Sequence, residues 1–372
     1  MESKTKILTS QRHVPPMYIS GIGTIGAFGR GIESLKNVLQ QGRISPVFTE
    51  VHGISKPVPV YSVKKEDIKE KALSRKMRRA DKFSKMAVIA AFDALNDSGP
   101  SIENIDDSLG IILSTGFGPH VTTFDFLDGY LDYGENAVSP TSFSHSVHNA
   151  AASYISSILG VRGPTQTVTD FNQPFQNALL LAQTWLGQGR CKNILLGCVD
   201  ELGSQMEYVF SKKYKYADDG KIQPFAFSDK PVIVPGEGST FFMLSSDSDS
   251  QRYCKISSLE FDSSLNKNAN VKILDTDGMS GDETRYKKIV SLNNDSLLAG
   301  YSPVFGSMKI NTAFHCAIGA LMLKNQCVYS CPVLDNPFNA NICSRCEQKQ
   351  INTVSCLKIE EKKGFSEISL LL

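Results

Sequence analysis

Apolar residues recur along the chain with two different periods. In residues 109–114 and 192–201 they form short unbroken runs (Leu109, Ile111, Ile112 and Leu113; Ile194, Leu195, Leu196 and Val199). Such runs, closed by turn residues, mark strands buried on both faces of a parallel sheet. In residues 80–98, Phe83, Met86, Ala87, Ile89, Ala90, Ala91 and Leu95 instead return at helical spacing, and Asn96-Asp97-Ser98-Gly99-Pro100 stops them. The same reading predicts further strands at 18–26, 165–169, 236–244, 254–261, 271–274, 327–334, 351–358 and 365–372. Helices are expected from Gly26 to about Arg43, at 122–130, from 142 to near Gly160, from Pro174 through Trp185, and at 308–324. Residues 44–75 contain prolines and show no period. Strands alternating with helices specify an α/β protein with a parallel or mixed sheet. The polar stretch 245–252 divides it into two halves, 1–250 and 251–372, with the second repeating the first more briefly.

The chain is organised around residues 163–179. A β-branched strand, Thr165 to Thr169, meets a sharp turn and then an apolar helix, with Pro174 in the first helical turn where its missing N–H costs nothing. Such a turn presents a side chain at the positive end of a helix, where a cysteine would be held as the nucleophilic thiolate. Here the turn offers Asn172 and Gln173, and a carboxamide cannot attack a thioester.

Composition narrows the function classes. Lys plus Arg is 39 against 38 for Asp plus Glu, so no global charge draws nucleic acid or membrane. One stretch is locally basic (Lys64-Lys65, Lys69, Lys71, Arg75-Lys76, Arg78-Arg79). It is either a solvated surface segment or a landing site for an acidic carrier protein. No apolar run reaches the ~18 residues that span a bilayer, and Met1 to Lys6 precede no signal-like apolar segment, so a cytoplasmic location is expected. Nine cysteines in 372 residues do not form a disulfide scaffold and should stay reduced there. Gly21-x-Gly23-x-x-Gly26 matches the spacing of a dinucleotide loop, but no acidic residue closes a second strand ~20 residues on. Tight packing of the turn explains these glycines better.

Several segments, in order, resemble the β-ketoacyl synthases of fatty-acid and polyketide synthesis. They are Ser20-Gly21-Ile22-Gly23, Ala80-Asp81-Lys82-Phe83-Ser84, Asn149, Gly160-x-x-Gly163-Pro164-x-x-Thr167-Val168, Asp200-Glu201 and Gly236-Glu237-Gly238. The resemblance implies the thiolase fold, two related βαβ-rich halves in α-β-α-β-α layers, and no cofactor. In that family the nucleophilic cysteine lies eight residues after the proline of the Gly-Pro pair, which is Asn172 here. A His-Gly-Thr loop precedes a Gly-Asp pair; before Gly281-Asp282 this chain has no histidine. A Lys-Ser-x-x-Gly-His segment carries the second histidine; here Gly306 stands at the lysine and Asn311 at the histidine. The family's glycine-rich loop is also missing from 357–372. Nucleophile and base are therefore absent together.

The resemblance then points to the chain-length factor, the inactive partner of an active ketosynthase in type II polyketide systems, including those that make aryl polyenes. Such a heterodimer, served by an acyl carrier protein, encloses the acyl tunnel. Candidate interface or tunnel residues are Phe117, Phe124, Phe126, Tyr130, Phe143, His148, Asn149 and Phe171. The alternative is a malonyl-carrier-protein decarboxylase in which Asn172 or Gln173 stabilises the enolate. Cys327, Cys331, Cys343 and Cys346 approximate a structural zinc spacing. His145 and His148 form a close pair expected to be hydrogen-bonded, and Cys316, beside His315, is expected in the core because helix neighbours diverge by about 100°.

Overall fold

The computed structural model describes residues 16–99, 108–135, 138–227, 232–262, 268–279, 283–292, 296–360 and 364–372. Strand β1 (Met17–Gly26) and the two-residue β2 (Gly29–Arg30) lead into α1 (Gly31–Gln41). A small hairpin, β3 (Val47–Thr49) and β4 (Val58–Val60), precedes α2 (Lys82–Asp97) and β5 (Leu109–Thr115). Helices α3 (His120–Tyr133), α4 (Pro140–Ser146) and α5 (Ala150–Leu159) come before β6 (Thr165–Thr169), α6 (Pro174–Gly187) and β7 (Asn193–Asp200). Next come α7 (Ser204–Lys213), the short pair β8 (Lys215–Tyr216) and β9 (Val232–Ile233), and β10 (Gly238–Ser245). The remainder holds β11 (Lys255–Phe261), β12 (Val271–Leu274), α8 (Glu283–Leu292), β13 (Leu297–Ala299), α9 (Ser302–Phe305) and α10 (Asn311–Asn325). The small pair β14 (Cys327–Val328) and β15 (Glu347–Gln348) is followed by β16 (Thr353–Glu360) and β17 (Gly364–Leu371).

One sheet runs in the order β13-β12-β16-β17-β11-β1-β10-β7-β5-β6. It contains the same five-strand pattern twice. In the first half β6, β5 and β7 are parallel, and β10 and β1 then add antiparallel. In the second, β13, β12 and β16 are parallel, and β17 and β11 add antiparallel. The halves meet where Met17 and Tyr18 of β1 pair with Ile256 and Lys255 of β11. Because parallel crossovers are right-handed, steps taken in opposite directions along the sheet put their helices on opposite faces. Thus α5, from β5 to β6, and α6, from β6 back to β7, lie on opposite faces; α8 and α10 do the same in the second half. The inner helices α6 and α10 touch each other, and α10 also packs on β16, β17 and β10. Every residue from Asn311 to Leu323 is buried, as a helix apolar all round requires.

The glycines of β1 have a different purpose from the expected turn. The strand continues through Gly21 and Gly23, with a shift of register between Ile19 and Gly21. A Cβ on Gly21 would stand 2.2 Å from the Ala94 carbonyl oxygen, and one on Gly23 2.0 Å from that of Ala90. Their bare backbones let α2 lie directly on the strand, and no nucleotide loop exists there. Two other expectations change. The helix expected from 142 to 160 breaks between α4 and α5, where Val147 is extended. The strand expected over 327–334 stops after Val328, and Cys331 N–H turns to the carbonyl of Cys343.

Candidate functional site

Strand β6 delivers the chain to the elbow at the mouth of the inner layer. The Asp170 N–H closes the strand onto the Thr115 carbonyl at 3.2 Å. Its Oδ1 accepts the backbone N–H of Asn172 at 2.6 Å and that of Gln173 at 2.9 Å, and its Oδ2 accepts Nδ2 of Asn177 at 3.2 Å. Pro174 then opens α6 at its first position, as expected. Backbone N–H groups at such an elbow are the natural donors to a developing oxyanion; here a carboxylate of the same turn occupies them. Asn172 is half-buried, whereas Gln173 is buried and its Oε1 has no hydrogen-bond partner among the described residues. One turn on, Gln176 Nε2 donates to Thr312 Oγ at 3.1 Å and to Ser366 Oγ at 3.0 Å. This fastens the start of α6 to α10 and β17 of the second half.

Across from the elbow, the start of α10 carries a buried charge cluster. Asn311 Nδ2 faces Asp277 Oδ2 at 2.9 Å, Asp275 Oδ1 at 3.2 Å and the Gly306 carbonyl at 3.2 Å. Lys358, projecting from β16, donates to the Lys309 carbonyl at 2.7 Å and lies 3.4 Å from Asp275 and 3.5 Å from Glu360. Burial lowers the Lys358 ammonium, but Asp275, Glu360 and Asp277 outweigh it and hold the group up at about 12. Burial, reinforced by Asp275, raises Asp277 well above the usual carboxylate range; burial also raises Glu360. The void among these groups is about 10 Å³, room for one water molecule at most.

The positions that the sequence resemblance sets at catalytic residues have backbones that bear on that expectation. Gly306 has φ +95°, and a Cβ there would come 2.9 Å from both Gly236 Cα and a Tyr61 ring carbon, so no lysine fits. Gly116 likewise leaves room for the Lys309 side chain, whose Cβ would otherwise be met at 2.8 Å. His315, one turn beyond Asn311, is buried with neither ring nitrogen partnered among the described residues; burial pushes it down to about 4 and keeps it neutral. Its neighbour Cys316 is buried, as expected. Gly281 and Asp282 lie outside the described residues. Lys358, Glu360 and Asp170 were not anticipated as site residues; two charges in the otherwise uncharged strand β16 were the available signal for the first two.

Four motif carboxylates hold the surrounding loops. Asp200 Oδ1 accepts Thr115 Oγ at 2.7 Å and the N–H groups of Gly116 at 2.9 Å and Phe117 at 3.2 Å, yet burial still raises it to about 6. Glu201 accepts the Val121 N–H at 3.1 Å, and burial, then Asp81, raise it to about 8. Glu237 is fully buried and gathers Ser62, the N–H groups of Val63 and Leu202, and the Lys82 ammonium. Asp81 caps α2 through Ser84 N–H at 2.7 Å and accepts Thr122 Oγ at 3.1 Å.

None of the eight candidate interface or tunnel residues is in the core. Phe124, Tyr130, Phe143, His148, Asn149 and Phe171 are exposed, Phe143 at 57% and Phe171 at 61%. Phe126 is half-buried against the Phe143 ring, with centroids 5.5 Å apart, and Phe117 packs on Phe171 and Phe210. Leu127, Leu131 and Tyr133 extend the exposed apolar surface of α3. Of the histidine pair, His145 Nε2 meets the Tyr154 hydroxyl at 2.8 Å. The zinc spacing does not become a site: among the described residues no three His, Cys, Asp or Glu side chains are placed to hold a metal. Cys331 donates to Gly300 O, Cys327 and Cys343 to main-chain carbonyls on either side, and Cys346 lies 4.0 Å from Leu39 O. Cys327 and Cys343 both approach the Val328 carbonyl, at 3.8 and 4.0 Å.

Known proteins share this architecture. Residues 18–250 match the model of the β-ketoacyl synthase N-terminal domain. Nodulation protein E of Rhizobium sp. (strain N33) is 27% identical over 239 residues, 61% of this chain and 57% of that protein. 3-Oxoacyl-[acyl-carrier-protein] synthase 2 of Synechocystis sp. is 25% identical over 236 residues, covering 61% and 56%. The chain thus spans just over half the length of these curated relatives. In structure, the ishigamide ketosynthase/chain length factor superposes with a TM-score of 0.80 at 15% identity, over 96% of this chain and 99% of that one. A β-ketoacyl synthase from Burkholderia phymatum STM815 gives 0.79 at 15% identity over the same shares. At such identities the superpositions establish the thiolase-like fold alone. Among the described residues no helix is long and apolar enough to cross a membrane. With residues 18–250, more than half of the chain, matched by the family model, the chain belongs to the β-ketoacyl synthase family.

Proposed function

We propose that the chain is a non-catalytic, chain-length-factor-like subunit that pairs with an active β-ketoacyl synthase and shapes its acyl tunnel. The observation that carries this is the Asp170 carboxylate at the elbow, bonded to the N–H groups of Asn172 and Gln173. The nucleophile is absent, and the donors that would hold an oxyanion are already engaged by a negative charge. Asn311, at the position of a catalytic histidine, is bound to Asp275 and Asp277. The decarboxylase alternative fits this environment less well, because a carboxylate beside Asn172 and Gln173 opposes the enolate that either amide would have to stabilise.

Two surfaces support a partner. Strand β6 ends the sheet with its outer edge unpaired among the described residues, and such an edge is a template for another chain. The exposed aromatic and aliphatic side chains of α3 and α4 form a second apolar surface, reached from β6 through α5, which α4 touches. An acyl carrier protein would reach this chain through the complex.

Gentle purification of the tagged chain from its native host, followed by mass spectrometry, tests the assignment. Recovery of a ketosynthase with its own Cys-His-His set, in equal amount, is the expected result. A homodimer without a ketosynthase, releasing carbon dioxide from malonyl carrier protein and losing that activity in Gln173→Ala, would replace it with the decarboxylase.

A further inference from the structure

Outside the elbow, a groove of about 870 Å³ lies between the 62–78 segment and the first turns of α2. Val63 and Met77 are buried in its wall, with Ile68 half-buried beside them. Lys65, Lys69, Arg78 and Lys85 also line it, and none of the four forms an ion pair with a described residue. The one acid on the groove, Glu70, is held by Arg30 at 2.9 Å. The cation deeper in, Lys82, is bound to Glu237. An apolar floor under a rim of unpaired cations is the complement of an amphiphile carrying an anionic head.

We propose that this groove binds an alkyl phosphate monoester or a molecule with the same ends: a phosphate head under the lysine and arginine rim, and an aliphatic body along Val63, Ile68 and Met77. A phosphate offers three terminal oxygens and close to two charges near neutral pH. It can engage several separately mounted cations where a carboxylate has two oxygens. An acidic protein face would satisfy the charges but would leave the concave apolar floor uncovered. The proposal is independent of the subunit role and stands or falls on binding alone.

The test is calorimetry on the full chain, in whatever assembly it purifies, with dodecyl phosphate below its micellar concentration. Inorganic phosphate and uncharged dodecyl maltoside serve as half-ligands. Dodecyl phosphate should bind, with each half-ligand weaker by ~10-fold or more, and the double variant Lys69→Glu/Arg78→Glu should weaken it by ~10-fold or more. Both substituted residues are exposed, and an unchanged melting curve certifies the fold. Equal binding of the maltoside, unchanged affinity in the double variant, or no binding at ~1 mM would overturn the proposal. So would binding confined to vesicles of phosphatidylcholine and phosphatidic acid, or to an acidic carrier protein, with none of the monomeric ester.

Discussion

Replacing Lys358 by methionine keeps most of the side-chain volume and removes the ammonium that Asp275, Asp277 and Glu360 share. The group is buried, so its loss leaves carboxylates without their counter-charge rather than merely weakening a surface pair. Removing one partner of a buried ion pair costs about 3–5 kcal/mol, and the close hydrogen bond to the Lys309 carbonyl places this site within that range at pH 8. The carboxylates have one escape, which is to take up protons. Asp277 and Glu360 are already raised by burial, and without Lys358 they rise further. A carboxyl whose folded pKa exceeds its unfolded value stabilises most at low pH, and that stability is lost as pH rises through the window between the two. In the wild type, the raised Lys358 contributes in full below 10.5 and loses its contribution only as pH passes about 12. The two stability curves should therefore lie within ~2 kcal/mol at pH 5 and separate by ~3 kcal/mol or more at pH 8. Urea titration followed by the single tryptophan, Trp185 on buried α6, reads this directly. A loss under ~1 kcal/mol at pH 8, or one equal at both pH values, would refute a dry, mutually compensated cluster.

Glu201→Gln isolates a second buried acid. Its folded pKa is about 8 against an ordinary 4.5, so wild-type stability declines as pH rises through that interval. The Gln variant keeps the acceptor for Val121 N–H and should be the more stable by ~3 kcal/mol at pH 9, with little difference at pH 5; thermal melts at the two pH values check it. Gly23→Ala should destabilise by ~3 kcal/mol, because its Cβ would meet the Ala90 carbonyl at 2.0 Å and displace α2. Gly31→Ala, with open space around its Cβ but φ +85°, should cost only ~1 kcal/mol. Equal losses in parallel denaturant titrations would remove the packing explanation for Gly23.

Much of the fold was legible because its elements are long and periodic. The run around Ile111 and Leu113 and the alternation of strands with helices required an α/β sheet, and β6 was bounded correctly by its threonines and Gly163-Pro164. The site was read by subtraction, from the resemblance that sets Asn172 and Asn311 at the nucleophile and base positions. What replaced that chemistry was harder to see. Asp170 acts through main-chain N–H groups two and three residues on, and Lys358 meets Asp275 only because β16 and β12 are parallel neighbours. Pairing of that kind is set by tertiary topology. The cysteine spacing did not become a metal site among the described residues, because spacing along the chain does not by itself put thiols into ligand geometry.

The replacements have a common physical logic. A ketosynthase must keep reactive groups desolvated and incompletely bonded at the junction of its two inner helices, an arrangement that costs stability. In this chain the same junction is closed from both sides. Asp170 satisfies the N–H groups at the head of α6, while Asn311 and Lys358 satisfy the acids at the head of α10. Gln176 then ties the two helix starts together through Thr312. Restoring a cysteine at position 172 alone would therefore place it beside a carboxylate already using the local N–H donors, with no imidazole opposite. Under the proposed reading, Asn172 at the elbow belongs with these other bonded positions, and that coherence is what the proposal of a structural partner rests on.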